Sequence, residues 1–83
     1  MSELLPEAPD RPSLCEEICR FYIGQIADGL IGPGELLPPA RRVAEEHRTS
    51  ASTARRGLRL LAQIGWAKPV AGCRYMALRP ART

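Results

Sequence analysis

Ser50-Ala51-Ser52-Thr53-Ala54-Arg55-Arg56-Gly57-Leu58-Arg59-Leu60-Leu61-Ala62-Gln63-Ile64-Gly65 reads as one capped, two-faced helix. A serine hydroxyl accepts a hydrogen bond from a first-turn amide that lacks a partner inside the helix, so Ser50 is the expected N-cap. Glycine enters the left-handed conformation without a Cβ clash, which makes Gly65 the expected stop. Between them, Ala54, Gly57, Leu58, Leu61 and Ala62 recur at helical spacing and form an apolar stripe. Ser52, Arg55, Arg56, Arg59 and Gln63 fall on the other side, which is polar, cationic and free of carboxylates. That face suits an anionic partner.

The distribution of charge extends this reading. The net charge is +3. Residues 1 to 46 hold all nine acids against four arginines, net −5, whereas residues 47 to 83 hold eight basic residues and no acid, net +8. Such asymmetry points to nucleic acid, or less often to an anionic membrane surface. The chain has no 18-residue apolar run and no basic, apolar leader, so a cytoplasmic protein without a membrane partner is expected. At 83 residues it is one small domain, burying only about 60% of the surface its unfolded form exposes. Eleven of the twelve basic residues are arginine, a preference that codon bias in a GC-rich genome produces unaided.

Outward from the helix, the chain reads as follows. Residues 1–12, with prolines at 6, 9 and 12, form a disordered or extended arm. Ser13 opens a first helix, along which Leu14, Ile18, Phe21, Tyr22, Ile26 and Leu30 keep a helical repeat as far as Ile31; Gly32-Pro33-Gly34 then supplies turn chemistry. Glu35-Leu36-Leu37 is a candidate short strand. Pro39 suits the first turn of a second helix, with Ala40, Val43, Ala44 and His47 on one face and Arg41, Arg42, Glu45 and Glu46 on the other. His47-Arg48-Thr49 is a glycine-free turn into the helix at Ser50, so the pair forms a helix-turn-helix. Trp66-Ala-Lys-Pro-Val and Tyr75-Met-Ala-Leu are two strands around a glycine-bearing turn, Pro69 keeping the first at a sheet edge. A hairpin after a helix-turn-helix is a wing. The expected fold is therefore α+β, a small winged helix-turn-helix with three helices followed by a two-stranded β-hairpin wing over 13–78, and a basic tail at 79–83.

In order and spacing, Gly34 followed by Leu37-Pro38, then Ala44, Ser50, Thr53 and Arg55, then Leu58-Arg59-Leu60-Leu61, then Gly65 and Gly72 resemble the N-terminal DNA-binding domain of GntR-type bacterial transcription regulators. The similarity covers roughly Ile18 to Leu78. It implies a domain that binds operator DNA as a dimer, with the helix after the turn in the major groove and the wing at a minor groove. Arg41 matches a DNA-contacting arginine of the family, Ser50, Ser52, Thr53 and Arg55 the polar front of the recognition helix, and Gly72 the first wing-tip glycine. Ala51 stands where the family commonly has a DNA-contacting arginine, Arg48 where it has a turn glycine, His47 where it has a core leucine, and Arg74 where it has the second wing glycine. Arg74 there suits entry into a minor groove or stiffening of the turn. The sequence ends about five residues after the wing, so no small-molecule effector is expected within it.

The expected function is sequence-specific binding of double-stranded DNA for transcription regulation, by a homodimer at least on DNA. Arg55 and Arg59 face the groove, where an arginine donates two hydrogen bonds to the O6 and N7 edge of guanine. Arg56 shares their face, and Arg41, Arg48, Lys68 and Arg74 neutralise phosphates. The alternative is a protein-binding winged helix, an accessory subunit or antagonist of another DNA-bound regulator. One histidine, no phosphate-cradling glycine loop, no HExxH and no carboxylate after Glu46 weigh against an enzyme. Cys15, Cys19 and Cys73 form no disulfide framework and lack the CxxC knuckle of structural zinc sites, so packing in a reduced compartment is their expected role. Trp66, Tyr75 and His47 are expected to pack. No cofactor or metal is expected.

Overall fold

The structure is a computed structural model that describes residues 14–72 and 74–80. The N-terminal arm, the cap assigned to Ser13, Cys73 and the end of the basic tail lie outside the described residues. Three helices, α1 (Leu14–Ala27), α2 (Ala40–His47) and α3 (Ala51–Gln63), precede an antiparallel hairpin of β1 (Ala67–Val70) and β2 (Arg74–Ala77). The expected winged helix-turn-helix is present.

One core joins all five elements. Ile18, Cys19, Tyr22 and Ile26 come from α1, Val43 and Ala44 from α2, Ala54, Leu58 and Leu61 from α3, and Ala67 and Ala77 from the paired strands, with Leu37 contributed by the segment that links α1 to α2. α1 crosses α3 at Gly57. A Cβ there would lie 2.8 Å from Ile18 Cγ2 and 3.0 Å from the Cys15 carbonyl oxygen, closer than side chains pack. The glycine in the apolar stripe thus allows two helix backbones to approach. Burial pushes the Cys19 thiol pKa up, with the neighbouring Cys15 adding to the effect.

α1 ends four residues short of the expected Ile31. Gly29 takes a positive φ of 83°, and the amides of Gly29 and Leu30 return to the carbonyls of Ile26 and Gln25. That bonding pattern satisfies the last carbonyls and closes the helix. Leu30, which continues the apolar repeat, is therefore 68% exposed, and Leu14 and Phe21 of the same repeat are exposed too. The chain turns at Gly32–Glu35, where the Glu35 amide donates to the Gly32 carbonyl around Pro33 and left-handed Gly34.

Glu35-Leu36-Leu37 then lies along β2. Leu36 bridges Met76, the Leu37 amide donates to the Tyr75 carbonyl, and the Ala77 amide donates to the Glu35 carbonyl. The expected strand is a single bridge, yet it places β2 in the middle and leaves Pro69 on the outer strand, β1, where its missing N–H costs no ladder bond. Trp66 and Tyr75 pack against the core. His47 is half-buried, its ring edge-on to Phe21 at 4.9 Å and 6.0 Å from the Tyr22 ring, so it joins an aromatic seam between α1 and α2. No helix among the described residues is long and apolar enough to cross a membrane, and none of their His, Cys, Asp and Glu side chains group for a metal ion.

Candidate nucleic-acid interface

α3 is capped as its sequence requires. The Ser50 hydroxyl accepts from the Thr53 amide at 3.1 Å and donates to the Thr53 hydroxyl at 3.1 Å, so both front hydroxyls are engaged in starting the helix. At the other end Gly65, with φ 92°, and Trp66 return their amides to Ala62 and Leu61. A helix held at both ends presents its outer face in a fixed orientation. On that face Ser52, Arg55, Arg56, Arg59 and Gln63 are all exposed, and the first four line a shallow hollow of about 150 Å³.

The turn before α3 stores strain. Arg48 has φ 55° and ψ 52°, making it the one non-glycine residue with positive φ among those described. Its amide and that of Thr49 bond back to Glu45 and Ala44, the same closure that ends α1 and α3 at glycines. Left-handed backbone costs a residue with a Cβ about 1 kcal/mol or more. The side chain is exposed beside the start of α3. Arg41 and Arg42 are exposed on α2; Arg42 Nε lies 3.6 Å from Glu46, whereas no ion pair joins Arg41 to Glu45. Being exposed, the Arg42–Glu46 pair contributes little to stability.

Gly72 is exposed at the tip of the wing with φ 79°, and Lys68 is exposed on β1. Arg74 goes elsewhere. From the first residue of β2 its Nη2 donates to the Leu37 carbonyl at 2.9 Å, and its Nε is buried with no partner. The half-buried side chain lines a hollow of about 210 Å³ between α3 and the wing, together with Arg55, Arg59, Pro69 and Tyr75. The sequence analysis assigns Pro69 to a sheet edge and Tyr75 to packing, and neither to a site. The signal for them was the hairpin register, which pairs Pro69 with Tyr75 on the face that also carries the buried pair Ala67 and Ala77.

On the opposite flank of α3, Cys19, Ile23, Leu60 and Ile64 line an apolar hollow of about 330 Å³ edged by Glu16 and Arg20.

No protein-family model matches the chain. Over 59 residues it is 37% identical to the uncharacterized HTH-type transcriptional regulator Rv0494 of Mycobacterium tuberculosis, a match covering 71% of this chain and 24% of that protein. The chain thus spans about a quarter of the curated relative. Among solved structures it is similar to YtrA of Sulfolobus acidocaldarius, a GntR-family transcription factor, with a TM-score of 0.77 at 23% identity over 88% of this chain and 77% of that one. It is also similar to a GntR family transcriptional regulator from Listeria monocytogenes, with a TM-score of 0.75 at 18% identity over 89% of this chain and 64% of the other. The chain thus has the winged helix-turn-helix fold of these GntR-family structures.

Proposed function

We propose that this domain binds double-stranded DNA sequence-specifically and serves transcription regulation, with α3 in the major groove. The observation that carries this is the outer face of α3, where exposed Arg55, Arg56 and Arg59 stand on a doubly capped helix in a half of the chain without a single acid. In this reading Arg55 and Arg59 reach guanine edges, each good bidentate contact supplying about 1–3 kcal/mol of discrimination. Ser50, Ser52 and Thr53 lie at the helix end nearest the phosphates, where free amides and the helix dipole favour anions. Arg41, Arg48, Arg56, Lys68 and Arg74 serve the backbone, and Gly72 lets the wing tip approach a minor groove. The regulatory role of the Mycobacterium tuberculosis relative supports the same reading.

The protein acts as a homodimer on a two-fold symmetric site with half-sites about one helical turn apart. Leu14 and Phe21, apolar and exposed on α1, are the kind of surface that a second protein covers. The competing reading, an accessory domain that binds another regulator, is favoured by the apolar hollow beside Ile23, Leu60 and Ile64.

Selection of genomic fragments on the purified protein, eluted at two salt concentrations and sequenced, separates the two. A discrete motif that survives the higher salt supports the regulator, and two-fold symmetry in it supports the dimer. Binding that is motif-free and lost with salt rejects sequence-specific regulation.

A further inference from the structure

We propose that the hollow between α3 and the wing seats one phosphodiester of the DNA backbone, with Arg74 as its fixed inner donor; the assignment rests on the DNA reading above. Three arginine side chains, Arg55 and Arg59 from α3 and Arg74 from β2, help line a space of about 210 Å³. Several waters, each taking about 30 Å³, would fill that volume, so a phosphate group fits. No carboxylate lies anywhere in residues 47–83, and none of the three arginines is in an ion pair among the described residues. Cations beside one hollow without a counter-ion favour an anion from outside; with the Arg55 and Arg59 heads at guanine edges, Arg74 is the donor to it.

Arg74 makes the hollow more than a gap between surface side chains. Its Nη2 is tied at 2.9 Å to the carbonyl of Leu37, a fully buried core residue, so the guanidinium is held in place before any ligand arrives. Its Nε is buried and has no acceptor. A buried donor without an acceptor leaves the cation incompletely compensated, which an anion at the accessible part of the guanidinium offsets, a charged oxygen being the strongest acceptor. Guanidinium matches the paired oxygens of a phosphodiester better than an ammonium does. Pro69 and Tyr75 complete the wall between the two elements assigned to the DNA. A strand leaving the major groove under α3 for the minor groove under the wing crosses this point. Arg74, standing at the second wing-tip position, thus serves the helix–wing junction and not the tip.

The test uses the full chain and a duplex carrying its selected motif, measuring dissociation constants against salt for wild type, Arg74→Gln and Arg74→Lys. Arg74→Gln keeps an amide donor for Leu37 while removing the charge. It is expected to weaken motif and non-motif duplexes alike by about tenfold and to make the salt slope shallower by about one. Arg74→Lys should recover the slope but not the full affinity. Duplexes with single neutral methylphosphonates should show one position whose roughly tenfold penalty in wild type disappears in Arg74→Gln. Wild-type affinity and slope in a folded Arg74→Gln, or the absence of any such position, overturns the seat and leaves the DNA reading intact. A wild type that binds no duplex defeats both; thermal stabilisation by inorganic phosphate at matched ionic strength, lost in Arg74→Gln, would then reassign the hollow to free phosphate. Should Arg74→Gln not fold, Arg74→Met, neutral and of similar length, takes its place in the methylphosphonate comparison: an unchanged penalty at every position overturns the proposal.

Discussion

Arg56 and Gly57 are neighbours in sequence and opposites in surroundings. Arg56 stands in solvent with Arg55 and Arg59, touching nothing that fixes it, while Gly57 has Ile18 and the Cys15 carbonyl so close that a single added carbon has no room. The inner face of α3 is therefore specified by packing, position by position. The outer face carries no folding requirement, and its cost-free arginines are available to a ligand. Changes on the outer face should move binding and leave stability alone; changes on the inner face should do the reverse.

The largest expected effect breaks the outer face. Arg55→Ala combined with Arg59→Ala should cost about 4 kcal/mol of motif binding, close to a thousandfold, at about 2 kcal/mol for each groove contact. The melting temperature should not change measurably, since exposed substitutions stay within about 0.5 kcal/mol. Titration of the motif duplex and calorimetry of the free protein check the two halves. A fall in stability would show that the outer face also serves the fold.

Gly57→Ala tests the inner face. Forcing α1 away from α3 should cost about 2 kcal/mol despite the better helix propensity of alanine, lowering the midpoint of thermal unfolding by roughly 10 °C. The fraction that remains folded should bind with wild-type affinity.

Arg48→Gly sharpens the contrast, because this residue stands where the two requirements meet. Relief of the left-handed strain, less the entropy that a glycine adds to the unfolded chain, should stabilise the fold by about 0.5–1 kcal/mol. DNA affinity should fall severalfold with a shallower salt slope. A gain in stability without a loss of binding would remove Arg48 from the interface.

The smallest effect lies in the seam of α1 and α2. Burial, and secondarily the negative charge of Glu46, push the Tyr22 phenol above its ordinary value of 10.0. The folded state then keeps a proton that the unfolded state releases, so this contribution is whole below pH 10.0 and declines as the pH rises towards the folded value. Tyr22→Phe should flatten that alkaline decline in denaturant midpoints, and Cys19, raised by burial in the same way, should retain its share.

Much of the site was legible because its determinants are local. Ser50 and Gly65 act within a few residues of themselves, through amides and carbonyls that every helix end leaves open, so they close α3 where local chemistry requires. The inner stripe and the exposed arginine face follow from helical spacing alone. α1 misled for the same reason. Leu30 keeps the apolar spacing, but Gly29 closes the helix first, because the chain must turn there to bring Leu36 and Leu37 beside β2.

By itself, then, the sequence determined the three helices, the hairpin, both ends of α3 and the separation of acid from base, all of which depend on neighbours one to four residues away or on composition. Only the tertiary structure decided that Gly57 is a crossing point, that Phe21 meets His47, and that Arg74 turns back to Leu37, 37 residues earlier in the chain. No local pattern encodes such a partner. The anchoring carbonyl becomes available only once the segment before α2 has paired with β2, which places Leu37 and Tyr75 side by side.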